Sequence, residues 1–250
     1  MDDPTAEALF LGEKSKTADQ NALMRAKKFK QQGVDRGQIL KDTGWFEDRG
    51  RWNYETDDRD FKQIKPFPQR TRDDDFVDAW QGHAGKGTVP SAEIDALNKK
   101  WEGIPREKYF DFYNAPGVKE AYPILNTLRL RITPADDHFG SFGYGNISIN
   151  RGAAEDEFAP PDKRKPIPES ELELTALHEL QHAADEANWG PHDEEFQLPY
   201  KDRPSEMRAR NVEMRRNMTP EERRQIPPWE TEPAGWEHSV NKYRKFFGRE

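Results

Sequence analysis

The segment PESELELTALHELQHAADEANWGP, residues 168–191, constrains the chain more than any other stretch. Pro168 marks a start, Ser170 has the chemistry of an N-cap, and Glu173 three residues later completes a capping box. Trp189-Gly190-Pro191 marks the stop. Between them Leu172, Ala176, Leu180, Ala183 and Ala187 recur at steps of three and four, the period of a helix with one buried stripe. Every other element must leave room for a helix of about six turns.

That helix carries His178, Glu179 and His182. At about 100° per residue, positions four apart project from one side a turn apart, so the two imidazoles can share one tetrahedral zinc ion. Glu179 lies too far round the helix to be a natural third ligand. It is placed to take a proton from a metal-bound water, the role of the glutamate in an HExxH motif. A solvated helix carrying two histidines by accident is the competing explanation. Clustering weighs against it, because three of the six histidines (His178, His182 and His192) fall within fifteen residues.

Composition limits what else is available. Hydrophobic residues make up 33% of the 250 and charged residues 34%, with a mean hydropathy of −1.13. The core is therefore small for the length, and 19 prolines with 17 glycines imply long connections. These features predict one loop-rich α+β body. With no cysteine in the sequence, disulfides and thiolate ligands are excluded, so any metal must be held by imidazole and carboxylate. Met1-Asp2-Asp3 is acidic where a secretory signal is basic, and no apolar run reaches membrane-spanning length, so a soluble protein with no membrane partner is expected. The formal net charge of −8 argues against nucleic acid as a partner.

Taken in order, Ala22, Leu23, Ala26 and Phe29 mark a helix over Thr17 to Gln32, ended by Gly33, and Asp35 to Lys41 reads as a second. In GWFEDRGRWNYE, Trp45/Phe46 and Trp52/Tyr54 flank the turn cluster Asp48-Arg49-Gly50, which predicts a β-hairpin. Residues 56–105 read as a charged insertion or linker. It contains a solvated His83 and one helix, capped by Ser91, that buries Ile94, Leu97 and Trp101. Pro116 starts a short helix that Pro123 stops. Leu128, Leu130 and Ile132 then alternate with Arg129 and Arg131 as in a half-buried strand. GSFGYGNISIN reads as a further strand placed by its glycines at a sheet edge, so that Ile147, Ser148, Ile149 and Asn150 form the edge to which a substrate strand would add. An acidic linker, Glu155 to Pro168, precedes the histidine helix.

Beyond Pro191, an acidic loop with His192 and Asp193 leads to a helix opened by Pro204-Ser205. Glu206, Arg210 and Glu213 fall on one face of it. They form either a surface ion-pair ladder or, with Glu206 as the third ligand, a His2Glu site that Arg210 helps to orient. His192 is the competing third ligand; if it coordinated as well, the site would be closed and structural. Thr219-Pro220-Glu221-Glu222 signals another capped helix, and Trp236 to Phe247 an aromatic, basic one.

Three blocks together resemble a family. GWFEDRGRWNYE, then AYPILNTLRLRI through FGYGNISIN, then LHELQHAAD with EMRARN, MTPEERR and ETE are similar to the zincin-like metallopeptidase domains of large polyvalent proteins in bacteriophages and mobile elements. The resemblance implies a zincin-like α+β fold, with a small twisted sheet whose edge strand lies over the HExxH helix. It implies Zn2+ held by His178, His182 and Glu206, with Glu179 as base, and hydrolysis of a peptide or protein substrate. Residues 1–55 would form a helical lead-in and hairpin, 56–105 the insertion and 106–250 the metallopeptidase domain. A phage protein of this kind would sit in the virion beside other virion proteins or act in the bacterial host cytoplasm. The alternative is a structural or interaction protein of the virion that keeps the zincin fold without proteolysis.

Overall fold

A computed structural model of the chain describes residues 8–57, 61–69, 71–83, 88–133, 139–153, 165–191, 195 and 197–232. Strand β1 is Ala8–Gly12. Helices α1 (Gln20–Gln31) and α2 (Arg36–Thr43) follow, each N-capped by an aspartate side chain, Asp19 and Asp35. Strands β2 (Trp45–Asp48) and β3 (Arg51–Asp57) form the expected hairpin. Its two-residue loop, Arg49-Gly50, has positive φ at both positions, the geometry that matches strand twist. Next come β4 (Lys62–Gln63), α3 (Arg72–Gly82), α4 (Ser91–Lys100), β5 (Tyr113–Asn114) and α5 (Pro116–Ala121). Strands β6 (Arg129–Thr133), β7 (Gly140–Gly143), β8 (Asn146–Asn150), β9 (Gly152–Ala153) and β10 (Lys165–Pro166) precede α6 (Glu169–Trp189). The chain continues through α7 (Pro204–Arg215), α8 (Pro220–Gln225) and α9 (Pro228–Thr231). The fold is α+β with small sheets, and among the described residues no helix is long and apolar enough to cross a membrane.

Contacts divide the chain into two units that do not follow sequence order. One comprises residues 1–61, 115–125 and 180–250, the other 62–114 and 126–179, with the division falling inside α6. In the first unit β1, β3 and β2 form an antiparallel sheet in that order. Its core gathers Ala22, Leu23, Ala26, Ile39, Trp45 and Trp52, so the aromatic hairpin is what α1 and α2 pack on. Strand β1 was not anticipated; ALFLG is a short apolar run with no polar alternation, and such a run does not by itself separate strand from helix. Its second edge is closed by side chains. Phe10 N–H donates to Gln181 Oε1 and Gln181 Nε2 donates to Phe10 O, both at 2.9 Å, while Gly12 N–H donates to the Tyr122 hydroxyl. A carboxamide here does the work of a neighbouring strand.

In the second unit β6 pairs parallel with β8, and β8 pairs antiparallel with β7, giving the order β6-β8-β7. The expected edge position of Ile147, Ser148, Ile149 and Asn150 is therefore wrong: these residues are the central strand, hydrogen-bonded on both sides. GSFGYGNISIN is a hairpin, not one strand. Tyr144 and Gly145, with φ of 51° and 71°, turn the chain back, and the edge belongs to β7. Residues 56–105 are not a bare linker either. Helix α3 escaped notice because its first turn is Asp73-Asp74-Asp75, yet Asp74 and Asp75 are buried. Asp74 accepts from the Thr71 N–H and hydroxyl and pairs with Arg151, while Asp75 accepts from Lys100 Nζ and Trp101 Nε1. In α4 none of the residues is fully buried and Ser91 does not cap, since the N-cap is Pro90.

Helix α6 begins at Glu169, so Ser170 lies in its first turn and not at the cap, and Glu173 accepts from the Gln63 N–H at 3.0 Å. Strand β7 passes close to this helix. A Cβ on Gly140 would stand 2.5 Å from Thr175 Cγ2, 2.9 Å from Ser148 O and 3.3 Å from Glu179 Cγ. Gly143, three residues on, has no neighbour within 4 Å of that position. Gly140→Val is therefore expected to cost about 1–3 kcal/mol by forcing strand and helix apart. Gly143→Ala should leave the urea midpoint nearly unchanged, and equal losses in the two variants would contradict this packing.

Candidate metal centre

Helix α6 is buried on more than the one stripe expected of it. Leu172, Ala176, Leu180 and Ala183 are buried as expected and Ala187 only half-buried, while Leu177, Gln181, Ala184, Asp185 and Asn188 line a second buried face. The Asp185 carboxylate on that face must be paired, since a buried unpaired carboxylate is far costlier than an exposed one. Asp185 accepts from Gln181 Nε2 on one oxygen and from Arg208 Nε on the other, both at 2.8 Å. Gln181 is the same carboxamide that closes the edge of β1.

Helix α7 is the partner of this arrangement. Of its residues Ser205, Glu206, Arg208, Ala209, Arg210, Asn211, Val212 and Arg215 are buried, a set with only two apolar members. Arg215 forks onto Glu55 of β3 through Nε and Nη2, both at 2.8 Å, and gives Nη1 to Ile226 O. Glu195 accepts from the Ser205 N–H at 3.0 Å, placing a carboxylate at the helix start where the dipole favours one. Desolvation pulls the Arg208 pKa down, but Asp185, Asp48 and Glu195 more than offset it and hold the guanidinium above its ordinary value. These bonds fix α7, and with it Glu206 in its first turn.

The result is a three-donor cluster. His178, His182 and Glu206 each offer one ligand atom, and those atoms lie within 4.8 Å of one another. His182 Nε2 and Glu206 Oε1 are 3.3 Å apart. A tetrahedral zinc ion with N and O donors at about 2.0–2.1 Å holds them about 3.3 Å from each other. The donor set, two imidazoles and one carboxylate with no sulfur, therefore suits such an ion, and the group can bind a metal. Glu179, next to His178, is buried.

The surface ion-pair ladder over Glu206, Arg210 and Glu213 is overturned for its first two members: Glu206 is 7% and Arg210 1% exposed. Arg210 turns its Nε to the Glu206 backbone carbonyl, 3.1 Å away, which ties it to the turn that carries this candidate ligand. His83 lies apart from the cluster, with Nε2 2.7 Å from Glu93 Oε2 in place of the solvated state expected. His192 and Asp193, and the helix expected over Trp236 to Phe247, lie outside the described residues. Sequence reasoning missed Gln181, Asp185 and Arg208. Their one visible signal was Gln181, Asp185 and Asn188 recurring at helical steps on a helix that also needed a second buried face.

Loss of Glu206 should abolish the set, while loss of a group outside it should only weaken binding. Zinc affinity of Glu206→Ala is thus expected to fall far beyond the 10–100-fold typical of outer groups. In competition titrations a larger loss for His192→Ala than for Glu206→Ala would remove Glu206 from the ligand set.

Residues 8–64 match the family model LPD23, large polyvalent protein associated domain 23. The matched segment holds β1, α1, α2 and the aromatic hairpin, whereas His178, His182 and Glu206 lie beyond it. Comparison with curated proteins returned no match, and comparison with solved structures returned none. The similarity links the N-terminal part of this chain to large polyvalent proteins, the setting of phages and mobile elements.

Proposed function

We propose that the chain is a zinc-dependent metallopeptidase with a zincin-like arrangement, phage-encoded and either carried in the virion or delivered to the host. The observation that carries the reading is that His178, His182 and Glu206 bring their ligand atoms within 4.8 Å of one another, with a buried Glu179 next to His178 in sequence. A purely structural zinc site has no use for a carboxylate set between its two histidines. The polyvalent-protein segment at residues 8–64 supports the phage setting.

In this reading His178, His182 and Glu206 would hold the ion. Zn2+ there supplies Lewis-acid activation of a water molecule and of a peptide carbonyl. Glu179 accepts the water's proton and returns it to the departing amine. The edge of β7, whose Gly140 sits against Thr175 and Glu179, is where an extended substrate would add as a strand.

Metal content and cleavage of an unstructured protein, measured for wild type and Glu179→Gln, test the reading. Wild type should bind about one zinc ion and cleave; the variant should keep its zinc and lose roughly 10²–10⁴-fold in rate. A wild type without zinc contradicts the proposal. Zinc bound with no cleavage would leave the structural virion role.

A further inference from the structure

We infer that Arg208 and Asp185 are a positioning pair for the metal centre: their buried bond sets the register of α7 on α6, so that Glu206 meets His182. The inference rests on the metal-binding part of the proposed function. Asp185 lies three residues after His182 and Arg208 two residues after Glu206, so the pair sits within a turn of two of the three donors.

Arg208 is held from several sides. Its Nε donates to Asp185 Oδ2 at 2.8 Å, its Nη1 is 3.4 Å from Asp48 Oδ2, and its guanidinium carbon lies 4.9 Å from the centroid of the Trp189 ring. Asp185 in turn is fixed by Gln181, which is bonded to the backbone of β1 at both its oxygen and its nitrogen. The line from β1 to α7 therefore runs through two amide–amide hydrogen bonds, one amide–carboxylate hydrogen bond and one charge-assisted hydrogen bond, each with a defined direction. Apolar contact gives no such direction. With Ala209 and Val212 the only buried apolar residues of α7, packing alone would let the helix slide. A slide of one turn displaces Glu206 by about 5.4 Å, more than a ligand atom can recover.

Energetics separates this role from simple stabilisation. A buried ion pair is commonly matched or exceeded in stability by well-packed apolar residues of similar volume, because desolvating two charges offsets their attraction. The pair's advantage over such a replacement then lies in the geometry it imposes. The planar guanidinium offers donors in a fixed fork, and neither Met nor Leu reproduces its orientation.

The test compares wild type with the double variant Asp185→Leu/Arg208→Met. Thermal melting without metal and zinc affinity by competition are read on the same samples. The expected result is a melting midpoint at or above that of wild type together with zinc affinity weakened 10–100-fold. Zinc bound as tightly as by wild type would overturn the inference while leaving the metal centre intact. Should the double variant fail to fold, Asp185→Asn, which keeps the shape and loses the charge, is read on zinc affinity alone: the same 10–100-fold loss supports the inference and wild-type affinity overturns it, while its melting midpoint falls because the Arg208 charge is left uncompensated. A folded wild type that binds no zinc is a separate result: it removes the metal centre itself and the inference with it.

Discussion

The buried charge on α7 is the constraint on which the rest of the first unit turns. A chain that is one-third charged cannot fill every internal surface with aliphatic side chains. Helix α7 meets that shortage by burying Arg208 and Arg215 and cancelling each against a carboxylate, on Asp185 and Glu55 respectively. Such pairs are poor sources of net stability and strong sources of specificity, since moving either partner leaves an uncompensated charge. The two arginines, seven positions apart, fix α7 at two points, to α6 and to β3. Glu206 is carried in the turn that Arg208 holds.

Seen this way, the histidine helix and the polyvalent-type hairpin segment serve one end. Gln181 links the edge of β1 to Asp185, and Glu55 of β3 receives Arg215, so the strands within residues 8–64 hold the two helices that present His182 and Glu206. In the second unit, the absence of a side chain at Gly140 lets β7 lie against the face of α6 that carries Thr175 and Glu179. Close approach at a glycine and directional bonds at charged groups do here what a large aliphatic core does elsewhere.

How much of this was legible follows from the kind of signal involved. Short-range chemistry read through: the apolar stripe of α1, the Arg49-Gly50 turn, the capped start of α8 at Thr219 and the alternation in β6 all depend on neighbours in sequence. His178, His182 and Glu206 were singled out from helical spacing and the resemblance, and the structure brings them together. What failed depends on partners far along the chain or on local signals that fit more than one conformation. Tyr144-Gly145 looked like part of a strand because a turn residue with positive φ need not be glycine. The aspartates of α3 looked solvated because Arg151, Lys100 and Trp101, which pair with them, lie 25 residues or more away. Ser91 and Ser170 are good capping residues at places where the helix starts at or before them. Arg208 is an ordinary surface type whose burial no periodicity announces, and Asp185 shows only as one member of the Gln181, Asp185 and Asn188 steps along α6.

The central claim is that two imidazoles and one carboxylate form a single zinc site with a position left open. Zinc-edge X-ray absorption on the zinc-loaded protein tests it most directly. The account predicts a low-coordinate shell of nitrogen and oxygen at about 2.0–2.1 Å, with the scattering of two imidazole rings and one further oxygen donor from solvent. A shell with one imidazole or three, or a six-coordinate oxygen shell, would contradict it.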